Sequence, residues 1–330
     1  MPLIDFVCPR CHGELQSTSS EYRCVSCAAT YPIVFGIPDF RVEPDPWIDF
    51  QDDRDKARRL LAITEGQDLG ASVRAYWGMT PGTPTELARR FTDYVLGGER
   101  RSAEWLDAIG PAPSSDGPWM EIGCASGDLV TTAAARGIQV VGVDVAMRWL
   151  VLARKRSGLN GVNATLVCAN GEFLPFRDRT FSRVLSAGTL EHCRRAEDVI
   201  SESARVLRAG GDVVMRTTNR YSLLPEPHVN LWGIGFLPRS WADGYVRWRG
   251  GQGYDHHRVL SVAELLRALR RAGLVAATVL PAPLLPSDHE RLGTAGRMAG
   301  PFYSRVRSLP VLSTIIRWVV PLLEARGRRL

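Results

Sequence analysis

Two groups of residues have the types and the spacing that site chemistry requires. The first is Cys8-Pro9-Arg10-Cys11, followed after twelve residues by Cys24-Val25-Ser26-Cys27. Two C-x2-C pairs supply four thiolates to a tetrahedron, which is the geometry of a closed structural zinc site. A rubredoxin-like iron site is the chemical alternative. Because the four ligands Cys8, Cys11, Cys24 and Cys27 complete the set, we interpret the adjacent His12 as a surface residue or as a neighbour of the ligands.

The second group is a glycine turn with acidic residues on both sides. The run Glu121-Ile122-Gly123-Cys124-Ala125-Ser126-Gly127 follows an apolar stretch, and Asp144 ends the next one. Dinucleotide sites usually read G-x-G-x-x-G and place a pyrophosphate on a helix N-terminus. Here the pattern is E-x-G-x-x-x-G, and an acidic residue at the strand end suits a cationic ligand. Gly123 permits a sharp turn, Gly127 permits close approach of a ligand, and Asp144 can bind both hydroxyls of a ribose.

The elements that must position these residues alternate between strand and helix. Such alternation predicts an α/β fold with a parallel sheet covered on both faces, and ligands that bind beyond the carboxyl ends of its strands. We predict strands at 119–122, 139–143, 164–169, 181–186, 212–217 and 275–280, and helices at 129–136, 147–157, 196–207 and 261–272. The third of these helices is expected to end at the glycine pair within 208–211. Ser261 and Glu264 form a capping box for the fourth.

These motifs resemble those of class I S-adenosylmethionine (SAM)-dependent methyltransferases of the ubiquinone and menaquinone biosynthesis type. The resemblance covers 119–217: E-I-G-C-A-S-G, V-V-G-V-D, N-G-E-F-L-P-F, F-S-R-V-L-S-A-G-T-L-E-H and V-L-R-A-G-G. It implies a seven-stranded Rossmann-like methyltransferase sheet, closed by an antiparallel strand at Leu322–Arg328. With the zinc ribbon in front, the layout is also similar to that of zinc-ribbon rRNA guanine methyltransferases.

The resemblance also implies which residues hold SAM. Gly123 and the 124–127 loop would bind the methionine part, Asp144 the ribose, and Val145 with Ala146 the adenine. Asn170 and Gly171 would meet the adenine edge, although the family usually has Asp at the first position. Ser182 likewise stands where the family usually has Asp. The full set expected at the cofactor is Tyr76, Glu121, Gly123, Cys124, Ala125, Gly127, Asp144, Val145, Asn170, Gly171 and Glu172.

The acceptor of the methyl group should lie at a long insertion, 219–260, at the catalytic edge of the sheet. Its histidine, tryptophan and arginine residues suggest a pocket for a polar, anionic or aromatic acceptor. Methyl transfer is an in-line displacement that can require removal of a proton. His192 and His228 are the catalytic candidates, with Glu172 and Glu191 behind them. The substrate candidates are Asn230, Trp232, Arg239, Trp241, His256 and His257.

The remaining segments set the domain organisation. We divide the chain into a zinc ribbon (1–40), a helical linker or lid (41–118) and the SAM-binding core (119–330). The linker carries helix-like stretches at 54–63 and 85–109 and a Pro/Ser/Gly loop at 110–118. Tyr76 and Trp77 between the stretches either lid the cofactor or pack on the core. Near the C-terminus, apolar residues from Leu312 to Leu323 lie on one helical face and either pack on the sheet or contact a membrane surface.

Composition limits the function without naming the acceptor. The 330 residues include seven cysteines and carry a net charge of +6, which permits a nucleic-acid or anionic-membrane partner without requiring one. The N-terminus does not resemble a signal peptide, and the uneven cysteine set fits metal ligands plus free thiols, so we expect a cytoplasmic protein. We predict SAM and structural Zn²⁺ as cofactors and a small-molecule or lipid-precursor acceptor. The alternative is an rRNA or tRNA base methyltransferase whose ribbon contacts RNA; a non-catalytic adapter is disfavoured by the intact motifs.

Overall fold

The N-terminal sheet is small and entirely antiparallel. In the computed structural model, which describes residues 4–80, 82–113, 117–251 and 253–330, it has four strands in sequence order. They are β1 (Leu15–Ser17), β2 (Glu21–Cys24), β3 (Thr30–Val34) and β4 (Ile37–Pro38). The tight turn before β4 places Phe35 and Gly36 at φ values of 54° and 73°. The segment 31–38 therefore forms a strand, a tight turn and a short final strand.

Four helices connect this sheet to the core. They are α1 (Phe50–Thr64), α2 (Leu69–Gly78), α3 (Thr85–Leu96) and α4 (Gly98–Ile109). The stretch 85–109, which reads as continuous in the sequence, is interrupted at Gly97. A β-carbon on the next residue, Gly98, would lie 2.6 Å from the Asp128 side chain, so the start of α4 packs too closely for any other residue. The loop predicted at 110–118 lies partly outside the described residues.

The main sheet has seven strands in the order β10-β11-β9-β8-β5-β6-β7. The strands are β5 (Trp119–Ile122), β6 (Val140–Asp144), β7 (Thr165–Cys168), β8 (Phe181–Ala187), β9 (Leu207–Thr218), β10 (Val275–Pro281) and β11 (Leu322–Arg328). β6 pairs in parallel with β5 and β7, whereas β11 runs antiparallel to both β9 and β10. The predicted α/β fold class and the closing antiparallel strand are confirmed.

The core helices are α5 (Asp128–Ala135), α6 (Met147–Leu159), α7 (Ala196–Val206) and α9 (Val262–Arg271). The capping box of α9 is present: the Glu264 amide donates to Ser261 Oγ, and Glu264 accepts from the Ser261 amide. The glycine stop predicted after α7 is wrong. β9 begins at Leu207 directly after α7, and the Gly210–Gly211 pair lies inside the strand, where the Gly210 amide donates to the Arg329 carbonyl.

The chain divides into two compact units, Met1–Ser182 and Arg183–Leu330. The first contains the small sheet, α1 to α6 and β5 to β7. The second contains most of β8, the remaining strands and the C-terminal helices. Our three-part division into ribbon, linker and core stays a prediction.

The insertion after β9 builds a small core of its own. It contains α8 (Arg239–Trp248), and Ile234, Ala242, Val246 and Tyr254 are buried together there. The insertion, which the sequence suggests to be a long loop, is thus partly helical. Ala242 and Val246, four residues apart on α8, are buried together with Ile234 and Tyr254.

The C-terminal region forms α10 (Pro286–Arg291), α11 (Thr294–Ser308) and α12 (Pro310–Ile316) before β11. The apolar stripe predicted over 312–323 does not lie on one helix. Val320 and Leu323 are buried, but Leu312 and Ile315 are exposed, so packing of the whole stripe on the sheet is wrong. Among the described residues, no helix has both the length and the apolar character needed to cross a membrane.

Candidate functional site

The thiol groups of the two C-x2-C pairs come together. The Sγ atoms of Cys8 and Cys27 lie 3.6 Å apart, and those of Cys11 and Cys24 lie 3.5 Å apart. All four lie within 4.8 Å of one another. Thiolates at about 2.3 Å from a tetrahedral zinc ion are about 3.8 Å apart. The set therefore has the donor chemistry and the spacing for such an ion, and the exposed His12 is not part of it.

The backbone around the cysteines explains this convergence. The residues after each pair, His12 and Ala28, have φ values of 56° and 57°. Their amides donate to the carbonyls of Cys8 and Cys24 at 2.8 and 3.1 Å, which closes a tight turn under each pair. Tyr31 Oη lies 3.2 Å from Cys8 Sγ, so its hydroxyl can donate to a thiolate.

The glycine turn after β5 is held to the end of β6. The amides of Gly123 and Cys124 both donate to the Val143 carbonyl, at 2.8 and 3.0 Å. Gly123 has a φ of 77° and Gly127 a φ of 72°. A β-carbon on Gly127 would lie 2.7 Å from the β-carbon of Ala153 on α6. Backbone conformation and packing thus both require glycine at position 127, and the close approach of a ligand there stays a prediction.

Asp144 connects the two motifs. Its carboxylate accepts hydrogen bonds from the amides of Ala125 at 2.7 Å and Ala146 at 2.8 Å. Burial raises the pKa of Asp144 to about 6, against the opposing effect of these two amides. A carboxylate has about four acceptor positions, so both oxygens can still receive the hydroxyls of a ribose. Asp144 is therefore positioned and oriented before any ligand binds.

Glu121 is a buried carboxyl group of a different kind. Its side chain is almost inaccessible, and its Oε2 atom has no hydrogen-bond partner. Burial, together with the charges of Asp128 and Asp144, raises the pKa of Glu121 well above its ordinary value. Leaving such a group unsatisfied costs roughly 1–3 kcal/mol, which a cationic ligand would recover. Two negative neighbours make this region suitable for the ammonium and sulfonium groups of SAM.

Asn170 has a different task from the one that the sequence suggests. Its Oδ1 atom accepts from the amides of Val42 and Glu43 at 2.9 and 3.1 Å, and its Nδ2 atom donates to the Glu43 carbonyl at 3.1 Å. The amide group thus holds the segment after the ribbon, so its expected hydrogen bond with adenine is unsupported. Gly171 and Glu172 are half-buried beside it.

Tyr76 belongs to an aromatic cluster on α2 and α6. Its ring centroid lies 4.8 Å from Trp77 and 4.5 Å from Trp149, and the Lys56 ammonium lies 4.4 Å from the ring centre. Trp77 in turn stacks on Phe91 at 5.4 Å. These contacts support the second of our two alternatives for Tyr76 and Trp77, which is packing on the core.

A buried ion network that sequence analysis missed holds the loop after Asp144. Arg41 pairs with Asp39 at 2.6 Å and with Asp53 at 2.7 Å, and Arg148 pairs with Asp53 at 2.7 Å and with Asp45 at 2.9 Å. Asp53 also accepts from the Met147 amide at 2.8 Å. Arg41 donates to the Val145 carbonyl at 3.1 Å. The proximity of Asp39 and Arg41 to the ribbon was the only sequence indication of this network.

Three histidines converge in the second unit. His192 Nε2 lies 3.2 Å from His228 Nε2, and the His257 ring centroid lies 4.5 Å from that of His228 and 5.1 Å from that of His192. Burial and the charges of the two other rings lower the pKa of His192 to about 3. Burial and the charge of His228 lower that of His257 to about 4. Both are neutral imidazoles at neutral pH.

His228 differs because of Glu226, a residue that sequence analysis did not select. His228 Nδ1 lies 2.5 Å from Glu226 Oε1, and the buried carboxylate also accepts from the amides of His228 and Val229 at 2.8 and 3.1 Å. Burial lowers the pKa of His228, but the hydrogen bond and charge of Glu226 outweigh it, so the pKa is raised overall. Glu191 lies behind the cluster and accepts from Thr217 Oγ1 at 2.8 Å, a structural task.

The other predicted substrate residues do not form a closed pocket. Arg239 pairs with Glu264 at 2.7 Å and donates to the Val259 carbonyl, so these two contacts hold its guanidinium beside the capping box. Trp232 and Trp241 are largely exposed, and Asn230 is exposed with a φ of 53°. His256 is exposed, its Nε2 atom lies 3.9 Å from Asp255, and it is not one of the three converging histidines.

Comparison with known proteins identifies the core. Residues 120–215, which contain the glycine turn, Asp144 and the segment through His192, match the family model described as a methyltransferase domain. This core is a methyltransferase domain. The expected resemblance to methyltransferases is thereby confirmed, and it supports SAM as the cofactor.

Individual relatives share the methyltransferase domain at modest identity. A ubiquinone biosynthesis O-methyltransferase of Idiomarina loihiensis is 29% identical over 47% of this chain and 60% of its own length. A demethylmenaquinone methyltransferase of Tropheryma whipplei is 30% identical over 36% of this chain and 49% of its own length. The chain thus spans about half the length of these curated relatives. A solved SAM-dependent methyltransferase of Thermotoga maritima, described as a possible histamine N-methyltransferase, has a TM-score of 0.45 at 18% identity, over 74% of this chain and 97% of that one.

Proposed function

We propose that this chain transfers the methyl group of SAM to a small-molecule or lipid-precursor acceptor. The observation that carries the proposal is the pair of carboxyl groups around the glycine turn of the methyltransferase domain, Glu121 buried and Asp144 half-buried. Asp144 is fixed by two backbone amides, as a ribose ligand requires, and one oxygen of Glu121 has no hydrogen-bond partner, so a cationic ligand could satisfy it. SAM supplies the methyl group on a sulfonium, which leaves as a neutral thioether after in-line displacement.

The acceptor class is inferred from relatives and from the ribbon. Both relatives above act in quinone biosynthesis according to their names, which favours a phenolic or hydroquinone acceptor with an apolar tail. The aromatic side chains that a ribbon needs to stack on RNA are engaged here: Phe6 packs against Tyr22, Phe40 and Phe176 at 5.1–5.8 Å. This disfavours the rRNA or tRNA alternative, because stacking on unpaired bases is how such proteins read RNA.

The three-histidine cluster is our candidate for handling the acceptor's proton. A phenolic or hydroxyl acceptor must lose a proton as its oxygen attacks the methyl group. His192 and His228 present facing nitrogens, and Glu226 fixes the ring of His228. We retain His257 at the acceptor, as the third ring of the cluster, and we no longer assign Arg239 there.

The ribbon is assigned one structural zinc ion. Four cysteine ligands leave no open position for chemistry, so the ion would stabilise the ribbon and not take part in methyl transfer. Replacing Cys24 with Ser should reduce the zinc content by one ion per chain in elemental analysis. Undiminished zinc would contradict the assignment, and iron in place of zinc would favour the rubredoxin-like alternative.

The acceptor class can be tested with SAM that carries a labelled methyl group. The full chain is incubated either with polyprenylated catechols and hydroquinones or with total RNA, and the label is then measured in the organic phase and in the RNA. Label in the organic phase supports the proposal. Label in RNA, together with binding that weakens steeply with salt, would replace it by the RNA alternative.

An exposed apolar region is consistent with an acceptor that resides in a membrane. Met298, Phe302 and Val311, on α11 and α12, are each more than 70% exposed, and Arg305 lies among them in the sequence. Apolar side chains with basic neighbours favour contact with an anionic lipid surface. We therefore include peripheral membrane contact through α11 and α12 in the proposed function.

A further inference from the structure

The three-histidine cluster is assembled from separate parts of the second unit. His192 lies in the short turn Leu190–His192 after β8, while His228 and His257 come from the two ends of the insertion. One nitrogen of each ring lies within 4.8 Å of the others. Two of these nitrogens, both Nε2, lie 3.2 Å apart. In a tetrahedral site with zinc–nitrogen distances of 2.0–2.1 Å, neighbouring ligand nitrogens are about 3.3 Å apart.

One ring of the cluster, His228, has the surroundings typical of a metal-bound histidine. A histidine that binds a metal through one nitrogen usually donates its other N–H to a carboxylate or carbonyl, which fixes the tautomer and makes the ring a stronger ligand. Glu226 has this position at His228 Nδ1, and two backbone amides hold Glu226 in turn. The resulting lone pair of His228 Nε2 points to the neighbouring imidazole nitrogen. The Tyr254 ring lies parallel to His257, 5.3 Å away, and limits the movement of that ring.

We propose that His192, His228 and His257 bind one divalent transition-metal ion, with zinc as the preferred ion. Three imidazole nitrogens without cysteine or carboxylate ligands suit zinc and leave a fourth position open. This site is separate from the four-cysteine site of the ribbon, which has no open position. The inference concerns metal binding and does not depend on the identity of the acceptor.

An open position gives the ion a chemical task. It can take water or an oxygen of the acceptor, and coordination to a divalent cation makes a hydroxyl group lose its proton more readily. In that case the three histidines act as ligands, and the ion, in place of an imidazole base, promotes the loss of the proton from the acceptor hydroxyl. No bond of the acceptor other than O–H is broken by this step, and the proton leaves to solvent.

The direct test is the zinc content of the full chain after exchange with Zn²⁺ and removal of the excess. We expect two zinc ions per chain in the wild type and one in the His228→Ala and His257→Ala variants. The variant Cys24→Ser should retain the histidine-bound ion and lose the other. The control His256→Ala alters the exposed neighbour, which is not part of the cluster, and should keep two ions. Glu226→Gln should weaken Zn²⁺ binding at the histidine site about 10–100-fold, measured by calorimetry.

Folding and cofactor binding are checked in the same variants with S-adenosylhomocysteine. Unchanged affinity in His228→Ala and His257→Ala shows that the loss of zinc is local. The inference is overturned if the wild type holds a single zinc ion, or if the histidine variants hold as much zinc as the wild type. A wild type that binds two zinc ions but no SAM would refute the proposed function and leave the metal site intact.

Discussion

At the scale of single residues, Glu121 is buried and Asp144 is half-buried, and their surroundings assign them different tasks. Asp144 is satisfied by two amides and has a pKa of about 6, so it is ionised at neutral pH and keeps its orientation. Glu121 has an oxygen without a partner and a pKa raised well above the ordinary range. Asp144 is therefore suited to orient a ribose. The unsatisfied oxygen of Glu121 destabilises the free protein, and a cationic ligand would offset that cost.

This difference gives a prediction for Glu121→Gln. A carboxyl group with a higher pKa in the folded chain than in the unfolded chain destabilises the fold increasingly as the pH rises from about 4.3 to the folded pKa. An amide cannot ionise, so the variant without ligand should gain about 1 kcal/mol in its free energy of unfolding at neutral pH. Its affinity for SAM should fall at the same time. Urea denaturation and calorimetry measure the two effects.

The matched control is Glu65→Gln, at an exposed carboxyl group just after α1. It should change neither stability nor affinity. A Glu121→Gln variant that is less stable and binds SAM normally would contradict the task that we assign to this carboxyl group.

At the scale of elements, the sequence predicts the sheet well and the site only in part. Strands β5 to β7 are buried on both faces and bounded by glycine turns, so each of them can be predicted from a continuous apolar run in the sequence. His228 and His257 lie 36 and 65 residues after His192 in the sequence, and no local pattern encodes contacts over such separations. The ion network has the same property: Arg41 reaches Asp53 and Val145 only once the chain has folded.

The network yields a comparison of two arginines. The Arg41 side chain is inaccessible to solvent, whereas that of Arg54, which also pairs with Asp39, is about a quarter exposed. Removing one partner of a buried pair typically costs about 3–5 kcal/mol, and an exposed pair contributes about 0–1 kcal/mol. Arg41→Ala should therefore destabilise the chain several times more than Arg54→Ala in urea denaturation. It should also weaken SAM binding, because Val145 loses its hydrogen bond next to Asp144. Equal effects of the two substitutions would show that the network does not hold this loop.

At the scale of the whole molecule, the chain combines a methyltransferase domain with elements that the family model does not cover. The ribbon, α1 to α4, the insertion and the C-terminal helices all lie outside residues 120–215. The four-cysteine ribbon comes before this domain, and the helices with exposed apolar residues come after it. The acceptor and its location must be sought in these parts.

The membrane contact that we propose can be tested by flotation with vesicles that contain anionic lipid. Substituting Phe302 and Val311 with Ser together should lower the bound fraction at least tenfold, because burying one such side chain contributes about 1.5–3 kcal/mol. Trp248→Ser is the control, since Trp248 is equally exposed but lies on α8. If both variants bind vesicles as the wild type does, α11 and α12 do not contact the membrane.

The most direct test of the account is calorimetric titration of the full chain with SAM and, separately, with NAD⁺. Wild type should bind SAM and not NAD⁺. Asp144→Ala removes both hydrogen bonds to the ribose and should weaken SAM binding at least about 100-fold, since a hydrogen bond to a charged group contributes about 1.5–3 kcal/mol. Asp198→Ala, at an exposed carboxylate on α7, should bind SAM normally. SAM affinity unchanged in Asp144→Ala, or NAD⁺ binding in its place, would contradict the central claim.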